Sequence, residues 1–190
     1  MILETVVTTL DEKGEANFAA MGVVWGEERL LIRPYVGTRT YRNLVRAREA
    51  VVNVTDNVLV FAMSALSRER FDCRPAARVR GVILDDVCHW REVTVEDISV
   101  PAPSPAGAGR ADVGTRVVAA AARRPFPGLC RAKHAVVEAS IVASRVGRLP
   151  EEDVLRELER LAPLVDKTGG STEREAMAYI RAHVARRIGA

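Results

Sequence analysis

The chain opens with short apolar, β-branched runs broken by polar turns. Leu3 to Thr9 ends in Asp11-Glu-Lys-Gly14, Asn17 to Trp25 closes on Gly26-Glu-Glu28, and Arg29 to Arg33 follows at once. That spacing predicts an antiparallel meander of three strands. A helix from about Thr40 to Glu49 comes next, then Val51 to Thr55, a nearly all-apolar strand of the kind buried on both faces. Val58 to Leu66 is apolar throughout and fits strand or helix. Ser67 to Arg74 reads as a charged loop, Val79 to Val100 as a long strand or hairpin, and Pro101 to Gly109 as a loop by composition. Thr115 to Arg124 holds a conflict. Val117-Val-Ala-Ala-Ala-Ala122 favours helix by propensity, whereas Gly114, Pro125 and its short length allow a buried strand.

After Pro127 the apolar period changes to that of a helix. Arg131 to Val146 carries Ala132, Ala135, Val136, Ala139 and Ala143 on one face, with Gly147 as its stop. The next helix starts at Pro150, with Glu151-Glu-Asp153 against the positive end of its dipole and Val154, Leu158, Leu161 and Val165 as its stripe. A last helix begins at Thr172 with Glu175 three residues on, a capping-box pattern, and Met177, Ile180, Val184 and Ile188 line one face. There is no internal repeat. The expected organisation is α+β, with a strand-rich region over residues 1–126 and three helices within 127–190.

One segment concentrates candidate chemistry. Leu30-Leu-Ile32 runs into Arg33-Pro-Tyr-Val-Gly-Thr-Arg-Thr-Tyr-Arg-Asn-Leu44. Thr40 is placed to cap a helix whose first turn is Tyr41 to Asn43. The open N–H groups of that turn and the helix dipole favour an anion. Thr38 and Thr40 offer hydroxyl donors, and Arg39 or Arg42 a planar fork for phosphate oxygens. The competing reading is an ordinary capped helix with solvated arginines.

Composition narrows the rest. The 190 residues are 48% apolar but only 5% aromatic, so Val, Ala and Leu must fill the core of a domain with a substantial appendage. Of the 28 basic residues only Lys13, Lys133 and Lys167 are lysines. That arginine bias reads as GC-rich coding, and a net charge of +3 is too small to argue for a polyanion partner. Cys73, Cys88 and Cys130 are odd in number and widely spaced, which suggests neither a disulfide framework nor a zinc ribbon. No stretch has a signal-peptide pattern or approaches the ~20 apolar residues of a membrane span, so a cytoplasmic protein without membrane partners is expected.

Several motifs in combination carry a family resemblance: Glu4-Thr-Val-Val-Thr-Thr9, Asn17-Phe-Ala-Ala-Met-Gly22, Pro34 to Leu44, Val51-Val-Asn-Val-Thr-Asp56, Phe126 to Lys133, Val137-Glu-Ala-Ser-Ile141 and Lys167-Thr-Gly-Gly170. Together they resemble the flavin reductase-like FMN-binding split-barrel proteins, in the branch called domain of unknown function 447. Ala20 stands where that branch usually has Pro, and Cys130 where it usually has Asn. The resemblance implies an antiparallel FMN-binding split β-barrel with a C-terminal helical extension, and strand for Thr115 to Arg124. It also implies FMN as cofactor and a homodimer paired through the barrels. The activity implied is redox transfer from NAD(P)H to a small-molecule substrate, with a pterin suggested by the branch's association with methanopterin-type carriers.

Under that resemblance the backbone of Met21-Gly-Val23 runs along the flavin edge, with Gly22 permitting close approach and Met21 packing on the ring. A plain strand with a glycine bulge is the alternative. Arg33 and Tyr35 flank the phosphate turn and either reach the ribityl chain or lie on the surface. Asn43 belongs to the first helical turn. Asn53, inside an apolar strand, must bond either backbone or the flavin's polar edge.

Arg131, His134 and Glu138 share one helical face, as a solvated or salt-bridged stripe or as a pocket wall with His134 as proton donor. Gly169 or Gly170 reads as a helix C-cap, with an anion site at Thr172 as the alternative. His89 and His183 read as isolated structural residues, and no metal site is indicated. No nucleophile–base pair or Rossmann fingerprint appears, which a flavoprotein of this kind does not need. A non-catalytic FMN-binding or sensing module and an arginine-rich nucleic-acid binder are the rival readings.

Overall fold

The apolar runs form β1 (Ile2–Leu10), β2 (Ala16–Trp25) and β3 (Arg29–Ile32), followed by α1 (Arg39–Ala47) and β4 (Glu49–Val54). Then come α2 (Val58–Leu66), β5 (Cys73–Pro75), β6 (Val82–Leu84), β7 (His89–Ser99) and β8 (Asp112–Ala122). The chain ends with α3 (Arg131–Ala143), α4 (Glu151–Thr168) and α5 (Ser171–Ile188). This computed structural model describes residues 1–100, 109–126 and 130–189. All but Gly109 of the compositional loop lies outside the described residues, as do Pro127, Gly128 and Leu129 of the Phe126–Lys133 motif. The chain divides into two compact units, Met1–Thr55 with Glu69–Pro125, and Asp56–Arg68 with Phe126–Ala190.

The first unit is a closed antiparallel barrel in the order β1-β2-β3-β8-β7-β4, with β4 returning to β1 through Val6↔Asn53, Val7↔Val52 and Thr8↔Val51. Side chains alternate across this sheet. Val7, Val23, Ile32, Ala50, Val52, Val93 and Val113 fill the inside, joined by Leu44 of α1. β4 is buried on both faces, because its second face is covered by the excursion that carries β6. Gly81 lies so close that a Cβ there would meet Val51 at 3.0 Å, and Leu84 N donates to Asn53 Oδ1 at 3.0 Å.

The expected single strand or hairpin from Val79 to Val100 is in fact split. β6 leaves the barrel to pair with β5, while β7 runs in the barrel between β4 and β8. A buried carboxylate holds the loop before β6. Glu92 of β7 accepts from the N–H groups of Ala77, Arg78 and Val79, which would otherwise be unsatisfied. The alanine-rich Val117–Ala122 run is strand, as part of β8. Its ladder with β7, continuing the earlier part of β8 that also pairs with β3, outweighs alanine's helical propensity.

In the second unit the ambiguous Val58–Leu66 run is a helix. Asn57 decides it, since its side chain accepts from Leu59 N at 3.0 Å and Val60 N at 3.3 Å. The stripes expected on α3, α4 and α5 converge with Val58 and Ala62 in one core. Cys130 occupies the N-cap of α3 and makes no side-chain cap bond, as a weakly accepting thiol would not. The last helix departs from expectation. It begins at Ser171, and its first turn is closed by Glu173, which accepts from Gly170 N at 2.8 Å, in place of the Thr172–Glu175 capping box. Gly169 ends α4.

Lys133 knots this unit. Its ammonium lies 3.1 Å from Asp56 and 3.4 Å from Glu173, so it joins the residue before α2's cap to the start of α5. Among the described residues no helix is long and apolar enough to cross a membrane.

Burial alone would raise the Glu173 carboxyl, but the N–H donors at Gly170 and Glu173 and the Lys133 ammonium outweigh it and hold the group below its ordinary value of 4.5. A depressed carboxyl stabilises the fold above its unfolded value, and that contribution is lost as pH falls through the folded value. Urea melts followed by circular dichroism should therefore find Glu173→Gln less stable than the parent at pH 7. The difference should shrink steadily below about pH 4.5.

Candidate functional site

The segment after β3 is pinned before it becomes a helix. Val36 N donates to Gly109 O at 3.0 Å and Ala111 N to Pro34 O at 2.9 Å, so residues 34–36 run beside the start of β8. Gly37 then turns the chain with φ +85°, a conformation that disfavours a side chain. Thr38, and not Thr40, is the N-cap of α1. Its hydroxyl accepts from Tyr41 N at 3.3 Å and donates to Tyr35 O at 2.7 Å. The cap moves two residues forward because the positive-φ turn ends at Gly37, which leaves Thr38 the first extended residue before the helix. Thr38 is therefore a cap with its proton already committed. The N–H groups of Arg39 and Thr40 are left without an intrahelical acceptor. No acidic residue lies in this first turn, and Arg39 and Arg42 lie on it.

Below that turn a polar seam fastens α1 to the tip of the β1–β2 hairpin. Arg39 reaches Asp11 at 3.5 Å, Asn17 Nδ2 donates to Thr40 Oγ1 at 3.0 Å, and Asn43 Nδ2 donates to Thr9 Oγ1 at 3.0 Å. Arg46 closes the row on Leu10 O at 2.7 Å. Asp11 also holds the hairpin turn, accepting from Lys13 N and Glu15 N at 2.9 Å each. The Glu15 N–H most of all, opposed by partial desolvation and aided by Lys13 N–H and Arg39, keeps the Asp11 carboxyl below its usual range. Thr40 and Asn43 are both buried in this seam.

The same seam sets the helix beside an open strand edge. β2 pairs with β1 along its whole length, but β3 pairs only with Val23–Trp25. Among the described residues Ala16–Gly22 has no partner on its second edge, and Ala19 to Gly22 is half-exposed. Asn17 lies on this stretch, so the unpaired backbone and the open turn of α1 are neighbours. A helix N-terminus with cationic side chains suits an anion, and an unpaired strand edge suits a planar group with polar rim atoms.

The other nominated residues divide. Val23 points into the barrel core, and Met21 packs half-buried against that core instead of standing free for a ring. Gly22 faces outward, but the space above it is taken by Ile2, whose Cγ2 a Cβ would meet at 2.8 Å. Asn53 takes the structural alternative. It is fully buried, donates to Val6 O at 3.0 Å and accepts from Leu84 N. Arg33 pairs with Asp112 at 2.8 Å, and Tyr35 lies under the Arg110 guanidinium at 4.6 Å. Asn17, Asp11 and Thr9 were not nominated. Their signal was faint, being polar residues at the ends of apolar strands beside a turn.

Arg131, His134 and Glu138 are exposed on α3. The anion site considered at the start of α5 is filled by the chain's own Glu173. His89 packs against Trp25 with ring centroids 5.7 Å apart, and burial and Arg91 lower its pKa. A cavity of about 290 Å³ lined by Trp25, Arg29, Glu96 and Thr115 includes none of the nominated residues. Among the described residues no group of three or more His, Cys, Asp or Glu is placed to hold a metal ion.

Comparison with known proteins agrees with this architecture. Residues 3–115 match the model described as protein of unknown function (DUF447) N-terminal domain, and residues 130–182 match the model described as protein of unknown function (DUF447). Among solved structures, an FMN-bound protein of that family from Methanosarcina mazei superposes with a TM-score of 0.81 at 22% identity, over 96% of this chain and 94% of that one. A split-barrel-domain protein from Shewanella frigidimarina matches at TM-score 0.53 and 12% identity, over 63% and 66% of the two chains. The NADH:FAD oxidoreductase of Streptomyces globisporus matches at TM-score 0.52 and 13% identity, over 65% and 86%. The barrel thus has the split-barrel fold, and three helices follow it in the sequence.

Because Thr38 is the cap, Thr38→Ala should lower stability by about 1 kcal/mol, the usual cost of a lost N-cap. Gly37→Ala should cost a similar amount through its positive φ. Both are read from urea unfolding of the purified protein.

Proposed function

The chain belongs to the DUF447 family of proteins of unknown function, and on that footing we propose that it binds FMN at the open turn of α1 and the unpaired edge of β2. The observation that carries this reading is the juxtaposition itself. A cationic helix N-terminus with free N–H groups stands next to a half-exposed strand edge, and Asn17 joins them. The Arg39 and Thr40 N–H groups, the Thr40 hydroxyl and the Arg39 and Arg42 guanidinium groups would hold the phosphate. The backbone of Ala19–Gly22 would meet the polar rim of the ring. The FMN found in the Methanosarcina mazei family member supports the choice of cofactor.

Bound FMN would supply hydride and electron transfer, while the protein contributes binding, orientation and a shaped environment. We take the chain to be a cytoplasmic flavin-dependent oxidoreductase that draws on NAD(P)H and works as a homodimer. Its acceptor would be a small molecule, with a pterin as one candidate class. The redox part of this reading is supported by fold analogy to the Streptomyces globisporus NADH:FAD oxidoreductase.

The test is reconstitution with FMN, FAD or riboflavin, followed by gel filtration and visible spectroscopy of the protein peak. FMN should be retained and FAD should not. Arg42→Ala removes one charged contact worth about 1.5–3 kcal/mol, so FMN affinity should drop roughly ten- to a hundredfold while riboflavin affinity holds. No protein-bound flavin with excess FMN would end the proposal.

A further inference from the structure

The half-buried contact between β2 and α1 assigns a role to a residue outside the proposed contact set. We propose that Asn17 is a positioning residue for the anion site, acting through the Thr40 hydroxyl. This rests on the FMN-phosphate reading above and extends it from the residues that touch the phosphate to the one that orients them.

Thr40 is 4% exposed, so its hydroxyl must satisfy itself within the protein or in the site. Asn17 Nδ2 carries only donor hydrogens, and it donates to Thr40 Oγ1 at 3.0 Å. That bond fixes the hydroxyl as acceptor on the Asn17 side. Its proton is then directed elsewhere, and the hydroxyl donates to no described residue. Thr40 is the second residue of α1, where its own N–H is also open. Proton and N–H can both serve one anion. An aspartate at position 17 would have the same shape and the opposite effect. Its carboxylate accepts only, so the hydroxyl would turn to donate toward it. The site would lose a donor and gain a nearby negative charge.

Asn17 is half-exposed and among the described residues its side chain supplies the seam with only this one bond, whereas Arg39, Asn43 and Arg46 still fasten the helix. Loss of its amide should therefore leave the fold intact. The experiment measures FMN and riboflavin dissociation constants for the full-length protein and for Asn17→Asp, Asn17→Ala, Thr40→Val and the Asn17→Ala/Thr40→Val double variant. Asn17→Asp should weaken FMN at least about tenfold, as expected for losing a bond to a charged group, and move riboflavin by less than about threefold. Asn17→Ala should weaken FMN several-fold, and the double variant should be no worse than Thr40→Val alone, because the amide acts only through the hydroxyl.

Equal losses for FMN and riboflavin, or additive losses in the double variant, overturn the assignment while leaving FMN binding intact. Parent protein that binds no FMN overturns the underlying reading instead. Should either alanine or valine variant prove unfolded by circular dichroism, the isosteric Asn17→Asp variant still supplies the overturning outcome. An unchanged FMN-to-riboflavin ratio there is the contrary result.

Discussion

Everything proposed for this chain depends on how α1 is fastened to the β1–β2 hairpin. A nine-residue helix has little stability of its own, so tertiary contacts must hold it. Here only Leu44 enters the barrel core among its fully buried residues, and the remaining buried positions, Thr40 and Asn43, are polar. Burying polar groups is unfavourable unless each finds a partner. The hairpin supplies one at every turn of the helix, through Asp11, Asn17, Thr9 and Leu10 O. The seam is directional in a way an apolar contact would not be, so it fixes both the angle and the rotation of the helix. Its first turn is thereby held open beside the free edge of β2.

Among the described residues this edge stays free. β3 is four residues long and pairs with only the last three residues of β2. A longer β3 would cover Ala16–Gly22 and close the place where a planar ligand can lie. The chain instead turns at Pro34 and Gly37, and the segment between them is tied to the start of β8. The shortness of one strand and the position of one glycine therefore matter more to the site than any single side chain. Cofactor chemistry suits such a site, because the protein needs to hold and orient a group and not to assemble a nucleophile and base.

How much of this was legible in the sequence varied with the kind of signal. Strongly patterned elements were readable, because Val-rich alternation and 3.6-residue stripes report burial directly. β1 to β4 and the three C-terminal helices are in place. Elements decided by tertiary partners were not. The alanine run of β8 needs its ladder with β7 to become strand, and Val58–Leu66 becomes a helix through the Asn57 cap. The N-cap slipped from Thr40 to Thr38 because both are good cap residues and only the turn at Gly37 chooses between them. Asn53 was correctly flagged as a buried amide needing partners, yet those partners, Val6 O and Leu84 N, come from distant strands. Asn17 went unnoticed as a site residue because its significance lies in a contact 23 positions along the chain. Motif residues in the helical unit, such as Lys133 and Gly170, knot helix ends together.

A crystal structure of the FMN complex tests the central claim most directly, by locating the phosphorus atom. The account predicts the phosphate within hydrogen-bond distance, about 2.7–3.2 Å, of the Arg39 and Thr40 N–H groups and the Thr40 hydroxyl. It also predicts the ring along Ala19–Gly22. Density for FMN anywhere else on the chain, with the first turn of α1 empty, would contradict it.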